Sequence, residues 1–144
     1  MKPYSLILFL LLSFICFNSQ AQGKITVEVS NFKSTKGVTR ICLYNNATAF
    51  NGEGQPVQCF AAAVKNNKAT AVFENVPAGT YAVSLFHDVN NNNKMDVNFV
   101  GIPKEGYGAS KNKLPFASAP TFADNKFDVG ANNTINIEIR LRNL

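Results

Sequence analysis

Between His87 and Asn98 the chain reads HDVNNNNKMDVN, and oxygen-bearing side chains stand at Asp88, Asn90 and Asn92, with Asp96 further on. Side-chain oxygens at positions one, three and five, a backbone carbonyl at seven and a further ligand at nine are what a calcium loop wraps around one ion. Lys94 can occupy position seven because only its carbonyl is used there. Position twelve, where a bidentate Glu normally closes the shell, is Phe99. Glu105, in the segment that follows, is the nearest replacement, with Asp124 and Asp128 behind it. Two carboxylates from the loop and one from outside imply weak binding, with a Kd of about 10⁻⁴ to 10⁻³ M, which suits a structural ion outside the cytoplasm. The competing reading is a plain polar turn, since Asn and Asp are turn formers in their own right.

His87 is the sole histidine and adjoins Asp88, a pairing that general-base catalysis can use. The partners it would need are scarce. Arg40, Arg140 and Arg142 all fall on expected strands, and neither GxSxG nor HExxH occurs. The expectation is a non-enzymatic protein in which His87 orients the loop or packs at a sheet end. The alternative function is a ligand-binding or adhesion module for a glycan, a peptide or an envelope partner. Tyr107, Phe99, Phe116 and Phe122 would line its surface if they face solvent rather than the core.

The first residues, MKPYSLILFLLLSFICFNSQAQG, combine one lysine, an apolar run from Leu6 to Phe17 and small residues at Ser19 and Ala21. This is the layout of a secretory signal peptide over residues 1–21, cut after Ala21, and it places the remainder, 22–144, outside the cytoplasm as a secreted or periplasmic single domain. An uncleaved anchor and a lipoprotein are the alternatives; bulky Ile15 ahead of Cys16 argues against the second. Without the signal, thirteen basic and nine acidic side chains remain, and they are scattered. No nucleic-acid footprint and no second membrane-length apolar run are present. Cys42 and Cys59 are then the remaining cysteines, and in an exported chain they most simply pair. Closing so short a ring is worth about 3 kcal/mol in a model-dependent treatment. The other reading is two separate buried thiols.

The elements that must position these residues are strands. KITVEVSNF from Lys24 alternates apolar and polar positions, the period-two mark of a half-buried strand. VTRICLY (38–44), VQCFAAAV (57–64), KATAVFENV (68–76) and the run from Tyr81 to Phe86 follow, separated by turn residues, and the last of these delivers His87 and Asp88 to its far end. NTINIEIRLRNL closes the chain, with Ile135, Ile137, Ile139 and Leu141 inward. Between them lies a Gly- and Pro-rich segment that reads as a long loop, its return anchored by Phe122, Phe127 and Val129. No amphipathic helix of useful length is predicted. The expected fold is all-β, an antiparallel sandwich of about seven strands.

The run FENVPAGTYAVSLFHDVNNNNKMDVNFVGIPKEGYGAS (73–110) resembles the domain of unknown function 2141 family of small exported bacterial proteins. The likeness is carried by Pro77, Gly79, Tyr81, His87, Asp88, Asn90, Asn92, Asp96, Gly101, Pro103, Glu105, Gly106 and Gly108. It covers essentially all of the chain after the signal. It implies an immunoglobulin-like or transthyretin-like sandwich and no assigned activity. Where that family usually has a glycine in the loop this chain has Asn93, the residue best able to replace it in a left-handed conformation.

Overall fold

A computed structural model describes residues 22–144; the expected signal segment and Cys16 lie outside the described residues. Strand β1 (Gly23–Ser30) alternates buried and half-exposed positions along its length, because a pleated strand turns successive side chains to opposite faces. Strands β2 (Val38–Tyr44), β3 (Gln58–Ala63), β4 (Ala69–Val76) and β5 (Gly79–Asp88) follow, with an irregular helical turn at Ala49–Glu53 between β2 and β3. Then come β6 (Tyr107–Ala109), a single helical turn α1 (Phe122–Asn125), β7 (Phe127–Val129) and β8 (Thr134–Arg140).

Two sheets result, β4-β1-β8 and β3-β2-β5-β6, with β7 pairing the first residues of β5. The all-β sandwich expected from the strand pattern is what forms, with eight strands among the described residues. It is not wholly antiparallel, because β1 and β8 run parallel from Lys24↔Thr134 to Ser30↔Arg140. Alternation tells which face a residue occupies and nothing about strand direction. A parallel pair needs a long crossover, and here nearly the whole chain supplies it. The segment read as one long loop contains β6, α1 and β7. Each is too short to show a period, and each is held by partners distant in sequence: β6 and β7 by β5, α1 through Asn125.

The inner faces meet in one core. Ile25, Val27 and Val29 of β1 and Phe73 of β4 pack against Ile41 and Leu43 of β2 and Val83 and Leu85 of β5, and each is essentially inaccessible to water. Ile137, Ile139 and Leu141 are buried as expected, while Ile135 is half-buried. The sheets approach so closely at β6 that a Cβ on Gly108 would stand 2.5 Å from Ile139 Cγ2. A second, smaller cluster of Phe50, Ala82, Ala109, Tyr44, Leu114 and Phe122 covers part of the outer face of the five-stranded sheet. The C-terminal residues tie the sheets together: Leu141 N–H donates to Ser30 O, while Arg142 and Tyr107 exchange both backbone hydrogen bonds. Among the described residues no helix is long and apolar enough to cross a membrane.

Candidate functional site

Asp88 is the last residue of β5, opposite Val38, and is fully buried. Its placement brings it beside Arg40, one strand over, whose Nε donates to Asp88 Oδ2 across 48 residues of sequence. The backbone N–H of Asn92 donates to Oδ1 at 3.0 Å and that of Asn93 to Oδ2 at 3.0 Å. Burial alone would push the Asp88 carboxyl up, but the Arg40 guanidinium and these two amides outweigh it and hold its pKa below the usual carboxylate value. The loop therefore turns around an anion. Asn91 and Asn93 take φ of 58° and 66°, left-handed conformations that Asn tolerates where most residues would not. The β1–β2 turn crosses directly over this point: at Gly37, φ is 72° and a Cβ would meet Asp88 O at 2.0 Å.

Glu105 does reach the loop. Its Oε1 accepts the Val89 N–H at 2.9 Å and its Oε2 the Asp96 N–H at 3.0 Å, so its carboxylate clamps the two ends of the Asn run and is itself buried. The reserve candidates are elsewhere. Asp124 N–H and Oδ2 bond the Thr121 hydroxyl in a helix cap, and Asp128 accepts from Thr80 at the start of β5. Asp96 receives the side-chain amides of Asn90 at 2.7 Å and Asn92 at 2.9 Å. The side chains of Asn90 and Asn92 also accept from the amides two residues on, Asn92 and Lys94, in successive Asx turns. Asp88, Asn90, Asn92, Asp96 and Glu105 thus form one polar knot, with Lys94 exposed on its rim. Among the described residues no group of three or more His, Cys, Asp and Glu side chains is placed to hold a metal ion. Cation ligands in this knot would have to come largely from Asn oxygens and backbone carbonyls.

His87 faces inward and is buried, with Nε2 2.7 Å from Lys36 O and its ring edge-on to Phe32 at 4.9 Å between centroids. Opposite it, Thr39 is fully buried and its hydroxyl has no hydrogen-bond partner. Neither Asp88 nor Glu105 has an oxygen turned to the imidazole, since all four oxygens accept other donors. Arg40 is the one member of the knot that sequence reasoning did not connect to it. Only the β2–β5 register reveals that contact.

Cys42 and Cys59 are directly opposed on β2 and β3 and form a disulfide, with Cα atoms 4.2 Å apart. It lies on the outer face of the sheet and Cys59 is exposed, so the alternative of two buried thiols does not hold.

On the same outer face, beyond Ser84 and Phe86, the chain leaves an apolar groove of about 940 Å³. Met95, Val100 and Ile102 line it from one segment, Phe116 and Ala117 from another, and Tyr107 from β6. Of the four aromatics singled out in the sequence, Phe99 and Phe116 are 99% and 97% exposed, Tyr107 is half-buried, and Phe122 packs against Phe50 at 6.0 Å. The first of these segments, which carries Phe99, closes in a small hairpin. Val97 bridges Pro103, Asn98 N–H donates to Ile102 O, and the Asn98 carboxamide oxygen accepts from Val100 and Ile102. Lys104 N–H donates to Asp96 O, which joins this hairpin to the knot.

A family model described as an uncharacterized protein conserved in bacteria (DUF2141) matches residues 27–137. No curated protein matches the chain, and no solved structure does.

Proposed function

Because the chain belongs to the uncharacterized bacterial DUF2141 family, for which no activity is assigned, we propose its function from its own surface: an exported, non-enzymatic binding module that takes an apolar ligand in the groove beside the Asn loop. The observation that carries this reading is the groove. Its volume falls in the range of small-molecule sites, its lining is mostly apolar, Phe116 within that lining is almost wholly exposed, and exposed Phe99 adjoins the lining residue Val100 in the chain. An exposed apolar patch of this kind usually marks an interaction site. The knot of Asp88 and Glu105 has a mechanical part in this reading, since it fixes the hairpin that lines part of the groove.

Export is supported by the signal-like start of the sequence and by the disulfide, which persists in oxidising compartments. A non-catalytic role is supported by the surroundings of His87, which packs on Phe32 and bonds a carbonyl rather than a carboxylate.

The test is titration with the fluorescent apolar probe N-phenyl-1-naphthylamine. The exported protein should enhance its emission saturably, and Ser84→Trp, which fills the groove floor, should abolish the enhancement while leaving Tm unchanged. Saturable binding that survives Ser84→Trp would place the ligand elsewhere.

A second reading concerns the loop itself and rests on the convergence of Asn90, Asn92 and Asp96 at hydrogen-bond distance. The Oδ1 atoms of Asn90 and Asn92 that accept the Asn92 and Lys94 amides each keep a second lone pair for a cation, which would displace their NH2 groups from Asp96. Asp96, Asn90, Asn92 and the Lys94 carbonyl would then face a calcium ion, with Asp88 and Glu105 as the scaffold around them. Millimolar calcium added to chelator-treated protein should raise Tm by a few degrees, and Asp96→Asn should remove the response. An unchanged Tm would rule this reading out.

A further inference from the structure

The end of the sandwich that carries the Asn loop has a definite charge and a definite apolar relief. Phe99 and Val100, 99% and 61% exposed, project from the tip of the 97–103 hairpin, and Phe116, 97% exposed, projects from a later loop. Val100 and Phe116 both line the groove, so both prominences border the same apolar surface. The Asn98 side chain and the Val97–Pro103 bridge hold Phe99 outward on a fixed turn. A water-soluble domain gains nothing internally from that arrangement.

The same end is basic. The β1–β2 turn, which adjoins the loop through the Val38↔Asp88 pair, presents exposed Lys33 and Lys36; the Asn loop and its hairpin present Lys94 and Lys104. Lys33 Nζ donates to Leu144 O at 3.4 Å, and among the described residues none of the four lies within ion-pair distance of a side-chain carboxylate. Of the acidic groups here, Asp88 is neutralised by Arg40, Glu105 is buried on backbone amides, and Asp96 is half-buried under two Asn amides. The first strand begins at the opposite end, where Lys24 N–H donates to Asn133 O. The loop end therefore points away from the start of the domain.

We propose that this end docks on an anionic lipid surface, with Phe99, Val100 and Phe116 entering the interfacial layer and Lys33, Lys36, Lys94 and Lys104 against the headgroups. The proposal rests on the binding-module reading and names its ligand class. Apolar insertion combined with attraction of basic groups to anionic lipid is how surface-bound segments hold to bilayers without spanning them. Fixed loop tips achieve it without the ordering cost of a flexible segment.

The test is co-sedimentation of the exported protein with vesicles of phosphatidylcholine alone and of phosphatidylcholine with about a quarter phosphatidylglycerol. Binding should be confined to the anionic vesicles and weaken as salt rises. The double variant Phe99→Ala, Phe116→Ala should lower partitioning about a hundredfold with Tm and far-ultraviolet spectrum intact, because both rings are exposed. Replacing Lys94 and Lys104 with Gln should weaken binding and flatten its salt dependence. Failure to sediment with anionic vesicles at low salt overturns the proposal, as does sedimentation that the double phenylalanine variant leaves unchanged. A protein that binds N-phenyl-1-naphthylamine but no vesicle would overturn docking on lipid and leave the groove reading standing.

Discussion

Asp88 shows how much of this site is decided by single hydrogen bonds. It is fully buried, yet its carboxyl is held below the ordinary value because Arg40 and two loop amides satisfy the charged form. A depressed folded pKa contributes stability that is present above the unfolded value of about 4 and is lost as pH falls through the folded value. Thermal unfolding followed between neutral pH and pH 2 should therefore show a loss of stability on the acid side. Asp88→Asn should reduce that acid dependence while costing about 2 kcal/mol at neutral pH. The figure is below that for a fully buried pair, since the Arg40 side chain keeps 26% of its exposure and can recover water. A variant with the wild-type acid profile would show that other carboxylates carry the dependence. Glu105 illustrates the same chemistry differently: with Phe99 where a closing carboxylate would stand, a carboxylate from the next segment finishes the loop by binding its amides.

At the scale of elements, β3 is the least secure strand. It forms an edge of the five-stranded sheet, and most of its side chains are exposed. Pairing with β2, contact of Phe60 with Phe73 at 5.1 Å and the Cys42–Cys59 disulfide hold it in place. The disulfide closes a short ring, worth about 3 kcal/mol. Reductant should reach it in the folded protein, because it lies on the outer face. Mild reduction should release two thiols per chain and lower Tm by about 10 °C without unfolding at room temperature. An unchanged Tm would show that pairing and packing alone hold the edge. In the other sheet the edge strand β8 is protected by another device: Asn112, with φ of 55°, donates its side-chain amide to Glu138 O and accepts the Arg140 N–H, so one side chain imitates a neighbouring strand.

For the molecule as a whole, the six longer strands and the polar loop were legible from local pattern, and the disulfide partners from the cysteines left in an exported chain. Alternation in KITVEVS and TINIEIR reports a pleated strand with one dry face, because side-chain direction in a strand has a period of two whatever the strand pairs with. Asn at 91 and 93 reports a chain that must turn, because few other residues accept a positive φ. Register, strand direction and exposure follow from contacts between residues far apart, and the local pattern carries none of them. The parallel β1–β8 pair, the short strands β6 and β7 and the reach of Arg40 to Asp88 are decided there. So is the fate of the phenylalanines. Phe73 and Phe99 are the same residue to a hydropathy scale, yet one is fully buried and the other is 99% exposed. The sequence by itself determined that this chain makes a two-layered β domain with a polar loop at the end of one strand. Only the tertiary structure decided that the loop closes on Glu105, and that the hairpin beyond it presents an apolar tip to whatever lies outside. The physical reason is that burial belongs to the packed whole and not to any residue.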